Sequence, residues 1–259
     1  MMAGEIPITP PQAFLIATGI TDATITSAIN TLYSDLVNYG IWGKMKAIYP
    51  FVGGTATTHK FNLINPANTN AAFRLVFSGG WTHSATGALP NGTNAYAITF
   101  LSPNPVLTEN DTHMSYYSRT DVNGSQVEIG IVTPDRFAMY ARFLNNFSSD
   151  NYLNWVTARV QAANFDSRGF YVSTRTSAII HKAFKNNLQI GTTNTNNGGS
   201  MSGINIPIFI GASNVNQNPV YFSSKEVAFA SIGDGLTDTE AFNFYTAVQA
   251  FQTTLGRQV

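Results

Sequence analysis

Between residues 57 and 231 apolar side chains recur at every second position in short runs, and clusters of turn-forming residues interrupt them at roughly 10- to 20-residue intervals. Alternate residues of a strand share a face, so such runs suit strands with one side in a core. Helical periods do not intervene, which favours a β-sandwich over a parallel α/β sheet. The runs are His59-Lys60-Phe61-Asn62-Leu63, Phe73-Arg74-Leu75-Val76-Phe77, Ser115 to Arg119, Gln126 to Ile131, Phe137 to Phe143, Trp155 to Val160, Gly169 to Thr174 and Ala178 to Ala183. Asp121-Val122-Asn123-Gly124 lies between the third and fourth, and Asn-Gly tolerates two positive φ angles. It predicts a tight hairpin joining those strands.

The ends follow other periods. Residues 1–20 carry Pro7, Pro10 and Pro11 and read as an extended leader. Asp22 is placed to cap a helix in which Ile25, Ile29, Leu32, Leu36 and Tyr39 form one stripe, stopped by Gly40. That stripe packs either on its own domain or on another subunit. Near the C-terminus Thr237 and Glu240 have capping-box spacing, and Ala241, Phe244, Tyr245, Val248, Phe251 and Leu255 recur at helical spacing before Gly256. The expected organisation is an attachment or assembly segment over residues 1–49, then a sandwich with a terminal helix over 50–259.

Composition narrows the function classes. Fourteen basic and fourteen acidic residues cancel, and only 11% of the chain is charged, so an electrostatic nucleic-acid or membrane-surface binder is not expected. No apolar run reaches the ~20 residues of a membrane span. The absence of cysteine removes disulfides, thiol catalysis and thiolate metal sites. Asn and Thr are abundant, at 26 and 29 residues. No basic residue precedes Lys44, so the start does not resemble a signal peptide, and synthesis in a cytoplasm is expected.

Catalytic patterns are scarce. His59, His83, His113 and His181 are too far apart for a paired metal motif, and no metal or cofactor is expected. A sandwich glycosidase needs two converging carboxylates, yet Glu128 has no acid at 126, 130 or 132. Glu109 and Asp111 have the spacing but lie in a loop-like Leu-Thr-Glu-Asn-Asp-Thr-His segment. Sugar binding would instead need an exposed aromatic ring and several amides. Trp81, after Gly79-Gly80, and Asn91 are candidates, with Asn194 and Asn196 in the polar loop 191–203.

Ile206-Pro-Ile-Phe-Ile-Gly-Ala-Ser213, Tyr221 to Ala230 and Gly235-Leu-Thr-Asp-Thr-Glu240 resemble the end of LamG/concanavalin A-like lectin domains. The resemblance implies an all-β concanavalin A-like jelly roll carrying an N-terminal and a C-terminal helix. With the Ile41-Trp-Gly-Lys-Met-Lys-Ala-Ile-Tyr-Pro50 leader, the whole chain is similar to virion proteins of tailed bacteriophages of the Bacteroidetes-infecting, crAss-like type. That similarity implies a non-enzymatic fibre, spike or capsid-decorating subunit, located on the virion and homo-oligomeric, that binds other virion subunits through residues 1–49 and adheres to the host surface. The alternatives are a carbohydrate-binding module for host glycans and, third, a glycoside hydrolase or lyase. The calcium-binding acids of legume-type lectins and the Glu-x-Asp-x-x-Glu pattern of related glucanases have no counterpart here.

Overall fold

A computed structural model describes residues 7–133, 136–151 and 157–259. It begins with α1 (Pro10–Thr18), α2 (Ala23–Asn38) and β1 (Met45–Tyr49), followed by a short α3 (Ala56–His59). Four short strands come next: β2 (Val76–Ser78), β3 (Trp81–Ser84), β4 (Gly87–Pro90) and β5 (Tyr96–Ile98). After a turn-like α4 (Pro103–Val106) come β6 (Thr112–Ser118), β7 (Ile129–Thr133), β8 (Phe137–Phe143), β9 (Asn146–Asn151) and β10 (Val160–Ala163). Then follow β11 (Gly169–Ser177), β12 (Ile180–Lys185), β13 (Leu188–Gln189), β14 (Phe209–Ile210), β15 (Ser213–Val215), β16 (Asn218–Val220), β17 (Val227–Gly233) and α5 (Asp238–Thr254).

The strands form two sheets, antiparallel except where β15 runs parallel to β7. One has the order β13-β12-β11-β6-β17-β4-β3, with β1 also on β17. The other runs β10-β9-β8-β7-β14-β5-β2, and the β15–β16 hairpin joins it at β7. This is the all-β, concanavalin A-like jelly-roll sandwich with helices at both ends. Its core lies between the sheets, where Tyr116, Tyr171, Ile129, Phe137, Met139, Phe147 and Ile210 are fully buried.

A second apolar layer covers the outer face of the first sheet. Phe14 of α1, Ile29, Leu32 and Leu36 of α2, and Phe244, Val248 and Phe251 of α5 pack with Phe170 and Phe229 of the sheet. The stripe read on α2 therefore packs on its own domain. Each such side chain contributes roughly 1.5–3 kcal/mol through burial. Both helix starts have the expected caps: Asp22 accepts from Ile25 N–H at 2.8 Å, and the Thr237–Glu240 box is closed in both directions.

Four local expectations are corrected. Residues 1–20 are not wholly extended, because Pro10–Thr18 is helical. Pro10 and Pro11 occupy the first turn, where a missing N–H costs nothing, and Gln12 Oε1 accepts from Thr9 N–H at 2.9 Å. Residues 59–63 are not a strand. His59 ends α3, and Asn62 takes over backbone pairing, accepting from Ile48 N–H at 2.9 Å and donating to Ala72 O at 3.1 Å. Only the end of the run 73–77 is strand, since Phe73 has φ 57°. Asp121-Val122-Asn123-Gly124 is not a hairpin, because β6 and β7 lie in different sheets and residues 119–128 cross between them. The tight turns fall elsewhere, as at Leu144 and Asn145 (φ 48° and 59°) between β8 and β9. The beginning of the run Trp155 to Val160 lies outside the described residues.

Candidate functional site

Among the described residues, no helix packs on the outer face of the second sheet. On β8, Phe137, Met139 and Ala141 point into the core, so Ala138 and Tyr140 point outward. On β9 the same alternation sends Phe147 inward and Asp150 outward, and Arg159 stands just ahead of β10. Asp150 is fully buried, yet it organises the surface above it. Arg159 clasps it in a two-pronged contact, Nε to Oδ1 at 2.8 Å and Nη2 to Oδ2 at 2.7 Å. Arg136 Nη1 lies 3.8 Å from the same carboxylate and donates to Tyr140 Oη at 3.0 Å.

The Arg159 guanidinium also lies over the Tyr140 ring, 5.1 Å from its centroid. Burial opposes its charge, but the bonds and attraction of Asp150 outweigh that and hold it more firmly protonated than usual. Burial pushes the Tyr140 phenol up, so it stays a neutral hydroxyl. Ser125, Phe143 and half-exposed Tyr221 complete a cavity of about 200 Å³ with Arg136, Tyr140 and Arg159. Two guanidiniums thus converge on the Asp150 carboxylate, with aromatic edges beside them. Such a surface suits a flat polar ligand with an apolar face, since guanidinium N–H groups donate to hydroxyl or carboxylate oxygens.

The sequence-based candidates lie elsewhere and fall into two separate groups. Trp81, on β3 at one sheet edge, donates its indole N–H to Ser78 O and Tyr96 O at 3.1 and 3.2 Å. Its ring packs against Phe77 and over Gly211, where a Cβ would sit 2.7 Å away. Asn91 closes a turn near it, accepting from Thr93, Asn94 and Ala95 N–H. Asn194 and Asn196 sit by the opposite edge, on the β12 side. Asn194 pairs with His181 through the backbone, and both side-chain amides donate to Thr157 O. The structure joins Trp81 to Asn91 and Asn194 to Asn196, but not the two groups. The Arg136–Tyr140–Arg159 face was missed because Arg159 comes from a segment apart from β8 and meets it only through β9. The signal in the sequence was that Arg136 immediately precedes, and Tyr140 lies within, a strand rich in apolar residues.

Among the described residues, no group of three or more His, Asp or Glu side chains is arranged to hold a metal ion. No described helix is long and apolar enough to cross a membrane. The histidines are used internally. His113 Nδ1 donates to Asp234 O at 2.6 Å, His181 Nδ1 to Ala158 O at 3.1 Å, and His59 and His83 meet through Nδ1 at 2.9 Å.

No protein-family profile matches the chain, and no curated protein does. Several solved structures are similar. The NanB sialidase of Streptococcus pneumoniae aligns at 11% identity and TM-score 0.46 over 64% of this chain. Domain 4 of AbnA, an extracellular GH43 arabinanase of Geobacillus stearothermophilus seen with arabinotriose, aligns at 12% and 0.41 over 78% of this chain and 98% of the domain. The CBM40 of a Ruminococcus gnavus IT-sialidase, seen with α2,3-sialyllactose, aligns at 16% and 0.39 over 51% of this chain and 80% of that one. The matched region spans 27% of the NanB chain, so the likeness covers about a quarter of the sialidase.

Proposed function

We propose that the protein is a non-enzymatic carbohydrate-binding module whose binding face is the outer surface of the second sheet around Arg136, Tyr140, Arg159 and Tyr221. The observation that supports this is the fixed pair of guanidiniums, held by one fully buried carboxylate beside the exposed Tyr221 ring. Rigid donors bind without losing further conformational freedom, and an aromatic face accepts the C–H side of a sugar ring. A glycan array, followed by calorimetry on the best ligand, tests the reading. Binding lost in Tyr221→Ala and Arg159→Ala supports it. No glycan binding by the wild-type protein, even when multimerised, rules it out.

Attachment of this module to a phage particle is the second reading, and α1 supports it. Ile8 and Ile16 are 65% and 71% exposed, and with Gln12 and Leu15 they line a surface groove of about 450 Å³. An apolar face left in water at the N-terminal end suits docking onto another virion subunit or onto a further copy of the chain. Particle incorporation lost in Ile16→Asp, with the sandwich still folded, supports this attachment. Incorporation of that variant at the wild-type level removes it.

A further inference from the structure

The crossover between the sheets brings a lysine against an amide and a carboxylate in the interior. Lys225 Nζ lies 2.8 Å from Gln126 Oε1 and 2.9 Å from Glu128 Oε1. Lys225 and Glu128 are both fully buried. Glu128 is oriented from two further sides, accepting from Ser223 Oγ at 3.2 Å and from Ala141 N–H. Gln126 is held at its other end, where Nε2 donates to Ser224 Oγ at 2.7 Å. An amine, an amide carbonyl and a proton acceptor are thus gathered in one buried place. Lys185 offers a comparison, because its Nζ lies 2.9 Å from Asn164 Oδ1. There the lysine also donates to the backbone carbonyl of Asp166, not to a carboxylate, and it is only partly buried.

We propose that Lys225 and Gln126 become joined by an intramolecular isopeptide bond, with Glu128 as the proton acceptor. Glu128 takes one proton from the Lys225 ammonium. The neutral Nζ then attacks Gln126 Cδ, forming a C–N bond while the carbonyl electron pair moves onto Oε1. A second proton passes from Nζ to Nε2, the carbonyl re-forms, the Cδ–Nε2 bond breaks, and Nε2 leaves as ammonia. Lys225 ends as a secondary amide and Glu128 as a neutral acid, so no oxidant, reductant or other co-reactant is required. The reaction also discharges the buried ion pair, removing two charges that the interior solvates poorly. The bond would tie the 119–128 crossover to the segment entering β17, across 99 residues of chain. A covalent link between the two sheets suits a module that must bear load.

The test is the intact mass of the purified, denatured full-length protein, followed by peptide mapping. The expected mass is one ammonia below that of the sequence, with Lys225 and Gln126 in a single branched peptide and no tryptic cleavage after Lys225. Glu128→Gln should restore the full mass. A wild-type mass equal to the sequence mass overturns the proposal whether or not the variants fold. So does an ammonia loss that maps to Lys185 with Asn164, or to a succinimide at an Asn-Gly pair such as Asn197-Gly198. A cross-link that persists in Glu128→Gln overturns the role given to Glu128.

Discussion

Arg159 grips both oxygens of Asp150, at 2.8 and 2.7 Å, while the carboxylate itself is wholly shielded from water. The buried acid thus sets the position of a cation that still reaches the surface. Replacing Asp150 with Asn should cost about 3 kcal/mol, since breaking a buried pair leaves a charge without its partner. Denaturant unfolding measures this. Tyr221→Ala removes a half-exposed ring and should leave the same unfolding midpoint within about 0.5 kcal/mol. Only the second variant therefore separates glycan binding from stability.

Arg257 carries a different burden. It is 1% exposed and donates to Phe51 O, Pro50 O and Ala228 O at 2.7, 2.7 and 2.9 Å, and to Gln252 Oε1 at 2.6 Å. Burial lowers its guanidinium to about 9, the neighbouring Arg119 adding to the effect. Arg257→Ala strips several buried acceptors at once and should cost on the order of 3 kcal/mol or more, at roughly 1–3 per orphaned group. Lysine should rescue little, because a single ammonium cannot serve carbonyls lying in a fork. Thermal unfolding of the two variants checks both statements.

Acid should destabilise the fold through its histidines. Burial lowers His113 to about 4 and His181 to about 3, and burial together with His83 and Arg257 lowers His59 to about 3. The unfolded chain takes up these protons near pH 6.5, whereas the folded chain refuses them until far lower. Stability is therefore full above about pH 6.5 and falls as the pH drops towards 3 to 4. A stability profile flat across pH 4 to 7 would contradict this. His181→Asn, if it folds, should shallow the slope.

Gly211 has φ 81°, and a Cβ there would stand 2.7 Å from the Trp81 ring. Gly211→Ala should therefore displace the indole and destabilise the protein by about 1–3 kcal/mol, combining overpacking with backbone strain. Tryptophan fluorescence would report the displacement. An unchanged spectrum together with an unchanged midpoint would contradict the packing described.

The elements legible in the sequence are those whose reasons are local. The Thr237–Glu240 box and the stripe from Ile25 to Leu36 each satisfy their requirements within a few turns of one helix. Strand identity from Phe137 to Phe143 was legible for the same reason, since alternation is a property of the strand itself. The error at Asn123-Gly124 shows the limit. A turn-forming dipeptide favours a bend, but which sheet accepts the next strand depends on its partners, here β8 and, far along the chain, β14 for β7. Pro10 and Pro11 show a smaller limit, because proline excludes a helix interior and permits its first turn, and position decides between them.

The sequence by itself determined the all-β class and the two long terminal helices, because periodicity and capping are read over short stretches. Tertiary structure alone decided that Asp150 lies beneath Arg136 and Arg159, and that Lys225 meets Gln126 and Glu128. Those contacts join separate segments of the chain, and Lys225 lies 99 and 97 residues from Gln126 and Glu128. They exist only after the strands have paired and the sheets have stacked, since burial fixes the register that turns each side chain inward or outward.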